Sequence, residues 1–303
     1  MQRIVTRELP SGEVRNVHPF HVCLKGTEST VLCRDDSDYD AMVKVIAVAA
    51  KRKNVIVVIY SVVSSHCHTG ILAVSLAYAV AFGEEIKRIY SMWFSRKYGC
   101  VGVLRRATMS ALYLDSDWYV RNALAYIPRN ALDNGCNVDR YKWSGYRAMF
   151  CGSSSYGHRV SLMTKREREK IMHTGMDLRS VRWTIDDDGC LNPESFCDVA
   201  YLEQAFGGSQ AFFLKTIGGL NPAEMGEILE DAPRTRLTDG ELLKTVEEIS
   251  LRWFKCGLSE VSLERKMRLL AYVFRIRKTT VSQLARVIGL DRETVETAIN
   301  RLR

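Results

Sequence analysis

The chain has 303 residues, 47% of them hydrophobic, and a formal net charge of +8, which gives length for two domains and apolar content for a real core. The apolar run around residues 54–82 is broken by Ser-Ser-His-Cys-His-Thr-Gly, which excludes a membrane span there, and MQRIVTRELPSGEVRN lacks the apolar centre of a secretory signal. Nine scattered cysteines, never spaced C-x-x-C, argue against a disulfide framework or zinc knuckle and for free thiols in a reducing cytosol.

Charge divides unevenly along the chain. Residues 1–150 carry 20 Lys/Arg against 13 Asp/Glu, residues 151–250 carry 11 against 17, and residues 251–303 carry 12 against 5. Two basic modules thus flank an acidic one. A basic module suits a polyanion, most simply nucleic acid, although an ordinary solvated surface has the same composition.

In chain order, HPFHVCLKG (18–26) reads as a strand. DDSDYDAMVKVIAVAAKRK (35–53) reads as a helix, with acids in its first turn and bases in its last to match the helix dipole. NVIVVIYSVV (54–63) is β-branched and short, a buried strand. HCHTGILAVS (66–75) follows with almost no loop, and Gly70 suggests a bulge. GEEIKRIYSMWFSRKYG (83–99) has apolar residues at helical spacing, and TMSALYLDS (108–116) alternates like a strand. DSDWYVRNALAYI (115–127) opens with a capping signal and continues as a helix. This order predicts an α+β fold, a ferredoxin-like sandwich rather than a doubly wound sheet. CGSSSYGHR (151–159) marks a boundary, after which residues 160–250 read as mostly helical and acidic. Three segments are expected: 1–150, 151–255 and 256–303.

His66 and His68 lie two apart in a strand and so project from one face, with Cys67 turned back as a small hydrophobe. Two neighbouring imidazoles can share one cation; equally, an isolated His-x-His can be two hydrogen-bonded core histidines. Tyr126 and Asn130 are four apart on the later helix, so phenol and amide can face one site. A phenol, with a pKa of about 10, is a weak nucleophile at neutral pH unless a divalent ion polarises its target. His21 reads as a core or sheet histidine, and no third Cys or His stands at a spacing that would favour zinc.

Taken in order over residues 14–150, FHVCLKG, His66-Cys67-His68, FSRKYG, LDSDWYVRNALAYIPRNALDNG and YKWSGYRAMF resemble the HUH endonucleases, specifically the single-tyrosine transposases of the REP-associated branch. The resemblance implies that His66, His68 and Asn130 bind Mg²⁺ or Mn²⁺. It implies that Tyr126 attacks single-stranded or hairpin DNA, leaving a 5′-phosphotyrosine link and a 3′-OH, as a monomer or homodimer. The sequence departs from the family at Ser64-Ser65, where Pro-Asn is usual, and at Pro128, which predicts a kinked helix between Tyr126 and Asn130. Arg105 and Arg106 are the expected phosphate contacts.

TTVSQLARVIGLDRETVETAINRLR (279–303) reads as a helix-turn-helix. Gly289 makes the turn, Asp291 caps the second helix, and Arg292, Thr294, Thr297 and Arg301 stand where a recognition helix meets duplex DNA. With the basic helix over 262–278 it resembles the DNA-binding end of bacterial replication initiators. The expectation is a DNA strand transferase, cytoplasmic and nucleoid-associated, with no membrane contact. The alternative is a sequence-specific DNA-binding regulator on a domesticated, catalytically altered transposase fold.

Overall fold

The computed structural model describes residues 3–26, 31–133, 135–151, 157–221, 225, 237–277 and 279–300. The chain divides into two compact units, Met1–Pro233 and Arg234–Arg303.

In the first unit, β1 (Val5–Glu8) pairs with the start of the long strand β2 (Val14–Lys25). The helix α1 (Asp36–Lys53) follows, then β3 (Ile56–Val62) and β4 (His66–Ala73), α2 (Leu76–Tyr98), β5 (Thr108–Tyr113) and α3 (Asp117–Asp133). All pairings are antiparallel: β4 lies between β3 and β2, and β5 runs along the other edge of β2, beyond the stretch that β1 occupies. The result is an α+β fold on one antiparallel sheet.

Local chemistry explains the elements. Asp35 caps α1 by accepting from the Ser37 and Asp38 amides, and the Asp38 carboxylate returns a bond to the Asp35 amide. Lys51, Arg52 and Lys53 fill the last turn, as the dipole favours. The helix α2 begins at Leu76, seven residues before the segment expected from sequence, and Gly83 within it is a point of contact. A Cβ there would stand 2.6 Å from Met109 Sδ and 3.0 Å from Val22 Cγ1, so glycine lets α2 lie close against β2 and β5. The bulge anticipated at Gly70 sits on the partner strand, where Val58 is the extra residue opposite Gly70 and Ile71.

The boundary expected at 150 does not divide compact units. Residues 157–221 supply a two-strand pair, β6 (His158–Arg159) with β7 (Thr184–Ile185), and the helices α4 (Lys165–Met172), α5 (Val199–Ala205) and α6 (Gln210–Gly219). The stretch between α4 and α5 is turns and short pairings rather than helix. These residues complete the first unit's core: Asp198 donates its amide to Val57 O, its carboxylate pairs with Arg7 at 2.7 Å, and Phe196 stacks on Tyr60. A Gly/Ser run reports chain punctuation, not independence.

The second unit holds α7 (Asp239–Phe254), α8 (Leu263–Ile276), α9 (Val281–Ile288) and α10 (Arg292–Asn300). The boundary expected at 255 would cut its core, since Leu242 and Val246 of α7 pack with Leu269, Leu284, Val295 and Ile299. Acidic composition assigned α7 to the middle segment, whereas its apolar stripe assigns it here.

A carboxylate ties α1 to α2. Glu85, with 6% of its side chain exposed, takes a forked pair of bonds from Arg88 and one from Arg52, with Lys53 at 3.6 Å. The Arg88 hydrogen bonds above all, aided by Arg52, lower its pKa from 4.5 to about 2. A depressed folded-state pKa adds stability above the unfolded value and loses it as pH falls. Glu85→Gln should therefore cost about 1–3 kcal/mol at neutral pH. In urea melts the wild-type advantage should be full above pH 4.5 and fade toward pH 2; a gap that is constant with pH would contradict it.

Candidate functional site

The site is built on the sheet face opposite α1 and α2. In an antiparallel pair, directly opposed residues share a face. The β2–β4 register opposes Lys25 to His66, Cys23 to His68 and His21 to Gly70. His66, His68 and His21 therefore look the same way, while Cys67 turns to the other layer, where burial pushes its thiol up to about 12 and leaves it a packing residue.

The helix α3 closes over this face. Gly70 is the contact point: a Cβ there would meet Leu124 Cδ2 at 2.8 Å and Ile127 Cδ1 at 3.2 Å. This approach carries Tyr126 and Asn130 onto the histidines. The Tyr126 ring meets His68 edge to face with centroids 5.5 Å apart, and His66 meets His68 in the same way at 4.7 Å. His66 Nε2 stands 3.3 Å from Asn130 Oδ1. Four residues expected from sequence to converge are thus brought together, at 0% exposure for His68, 4% for Tyr126 and 3% for Asn130.

Pro128 does not end α3, which runs on to Asp133. Proline withdraws only the donor that would serve Leu124 O, and the residues on either side of it keep helical geometry. The Asn130 side chain folds back on the same turn, where Nδ2 donates to Tyr126 O at 3.1 Å and to Ile127 O at 3.2 Å. Those two bonds fix the amide's sense: nitrogen to the helix, Oδ1 toward His66.

Two further residues belong to the site. His21 is fully buried, and its Nε2 lies 2.9 Å from His68 Nδ1, so one ring donates to the other. Ser65, at the position that departs from the HUH pattern, places its hydroxyl 2.9 Å from His66 Nδ1. Both contacts occupy a δ nitrogen, which orients each ring with its ε nitrogen toward the centre. Outer contacts of this kind commonly set the tautomer of metal-binding histidines. Ser65 stood out in sequence only as part of the Ser64-Ser65 departure, with no role attached to it. Sequence placed His21 in the core or sheet but not against His68, its partner 47 positions away.

The donors at this point suit a divalent ion. Among the described residues no three His, Cys, Asp or Glu side chains form a metal-holding group, so the set reaches three donors only by counting the Asn130 amide. His66 Nε2 and Asn130 Oδ1 at 3.3 Å match neighbouring ligands of one ion, which lie about 3 Å apart at bond lengths near 2.1 Å. Nitrogen and amide oxygen together fit a borderline or hard cation. The residues fit the group.

The other expected residues lie elsewhere. Arg105 and Arg106 are exposed in the short turn Val103–Arg106 after α2, where Arg105 lines a groove against α2. In the second unit Gly289 adopts φ +71° and returns its amide to Ala285 O, making the turn between α9 and α10. Arg292 and Thr297 are exposed, but the Thr294 hydroxyl is bonded to Asp291 as part of the helix cap. Arg301 lies outside the described residues.

Gly70→Ala tests the closure of α3 on the sheet. The added methyl should separate Leu124 from β4 and lower stability by about 1–3 kcal/mol, read as a lower thermal midpoint; an unchanged midpoint would show that α3 does not rest there. Compared with family models, with curated proteins and with solved structures, the chain matches none.

Proposed function

We propose that the first unit is a metal-dependent endonuclease and strand transferase for single-stranded or hairpin DNA, on a ferredoxin-like sandwich of the single-tyrosine HUH kind. The strand order β5-β2-β4-β3, with α1 and α2 on one face, supports that fold. One observation carries the activity: a phenol ring, two imidazoles and an amide oxygen, drawn from one strand and one helix, are brought side by side.

His66 and His68, through their ε nitrogens, and Asn130, through Oδ1, would hold Mg²⁺ or Mn²⁺. The bound ion would polarise a phosphodiester and spread its developing charge. The Tyr126 hydroxyl then attacks phosphorus. The Oη–P bond forms as the P–O3′ bond breaks, the phenolic proton passes to solvent, and the departing oxygen takes up a proton as the 3′-OH. The 5′-phosphotyrosine conserves the ester, so resealing needs no nucleotide. His21 and Ser65 keep the two rings turned inward.

The burial of Tyr126 and His68 favours a second reading, a DNA-binding regulator on a catalytically altered fold, because no phosphate reaches a sealed phenol without movement of α3. The helix-turn-helix of α9 and α10 serves either reading as the duplex-binding element, with Arg292 on its exposed face.

Incubation with a pool of single-stranded hairpin oligonucleotides and Mn²⁺, resolved on denaturing gels, separates the two. Strand transfer predicts a covalent adduct that chelator abolishes and that is absent in Tyr126→Phe and His66→Ala. An adduct that survives Tyr126→Phe would remove Tyr126 as nucleophile. No adduct on any hairpin, with duplex binding intact, would leave the regulator. In both cases Arg292→Ala should weaken duplex binding and reduce its salt-dependence slope by about 1.

A further inference from the structure

A row of side chains on the outer surface of α2 is left unused by the site above. Arg88, Met92 and Arg96 are spaced four apart, so they line one stripe of the helix, about 12 Å from first to last at 1.5 Å per residue. A groove opens on each side of this stripe, and all three residues border both. One groove, of about 820 Å³, continues across to Arg52 of α1 and Lys170 of α4. The other, of about 530 Å³, continues to Lys87 and Arg105.

The charge on this surface is only partly neutralised. Glu85 binds Arg52 and Arg88 together and holds them in place, one carboxylate against two guanidiniums. Lys97 is committed to Asp35 and Asp38. Among the described residues, Arg96 and Lys170 enter no ion pair, and both are exposed. Glu84 and Glu169 also line the grooves, which leaves an excess of cations. Arginine predominates, and its planar fork matches phosphate oxygens in a way a lysine does not. Apolar surface is interleaved with the charge: Met92 is 46% exposed, and Trp93, half-buried between Tyr90 and His173, borders the larger groove. Cations that track a backbone beside an aromatic ring and a thioether suit a nucleic-acid strand whose bases lie on the apolar patches.

We infer that the outer face of α2 is a binding track for the sugar-phosphate backbone of single-stranded DNA, on the opposite side of the sheet from Tyr126. The track stands whether or not the first unit cleaves DNA, because it needs no metal and no phenol. Arg105, expected from sequence as a phosphate contact, is part of it.

The test is equilibrium binding of a fluorescent single-stranded oligodeoxynucleotide to the full chain, with chelator present and Tyr126→Phe as the parent, so that cleavage cannot enter the reading. Arg96→Glu with Lys170→Glu alters exposed, unpaired residues and spares the fold. This pair should lower affinity at least tenfold at low salt and reduce the slope of log K against log[salt] by about 1.4, the release expected for two phosphates of a single strand. Arg15→Glu with Arg179→Glu makes the same charge change away from the grooves and should leave affinity within about twofold of the parent. Equal losses in both pairs would mean general electrostatics, and no loss in the first pair would mean no track; either result overturns the inference. Competition by polyglutamate as strong as by unlabelled DNA would also overturn it, in favour of an acidic protein.

Discussion

The pairing of β2 with β4 is the constraint on which the candidate site depends. Its register opposes His21 to Gly70 and Cys23 to His68. A slip of one residue would turn every side chain of β4 to the other face, sending His66 and His68 toward α2 and Cys67 toward α3. The register is held by what each face buries. Cys67, Ile71 and Ala73 fill the layer under α1 and α2, while Gly70 admits α3 on the other side. Two imidazoles can then be buried in this sheet because each satisfies part of the other's hydrogen-bonding capacity.

Much of this was legible locally. The two-residue period of a strand places His66 and His68 together, and the four-residue period of a helix places Tyr126 with Asn130; both are properties of a few consecutive residues. The charged first and last turns of α1, the Asp291 cap of α10 and the turn at Gly289 were readable for the same reason. What sequence did not disclose depends on residues far apart. His21 and His68 are 47 positions distant, and nothing in HPFHVCLKG distinguishes a histidine that bonds another ring from one that packs alone. Gly83 and Gly70 show the same limit. Gly70 was read as a bulge and Gly83 was given no role, and each marks where a second element comes close.

The domain boundaries failed for a related reason. Composition changes at residue 151 and again near 250, but compactness follows apolar stripes, not charge. Tyr201, Phe206 and Phe213 follow the Gly/Ser run and are buried in the first unit, and α7 is acid-rich on its surface yet gives Leu242 and Val246 to the second unit's core. An acidic segment between two basic ones is therefore a statement about surfaces, and the chain's folding units cut across it.

The tightness of the site bears on how it would work. Tyr126, His68 and Asn130 are closed off by α3 resting on Gly70, while His66 is only half-buried at the strand's end. A phosphate would thus enter from the His66 side, where Ser65 is exposed and the sheet ends. The turn of α3 that bears Tyr126 and Asn130 is also the turn that Pro128 deprives of one helical hydrogen bond and that the Asn130 amide braces with two of its own. A helix is easiest to bend where its ladder is already short of a rung. The same amide that presents oxygen to His66 braces that turn, so on the strand-transfer reading an ion drawing on Asn130 Oδ1 would act on the very turn that carries the phenol.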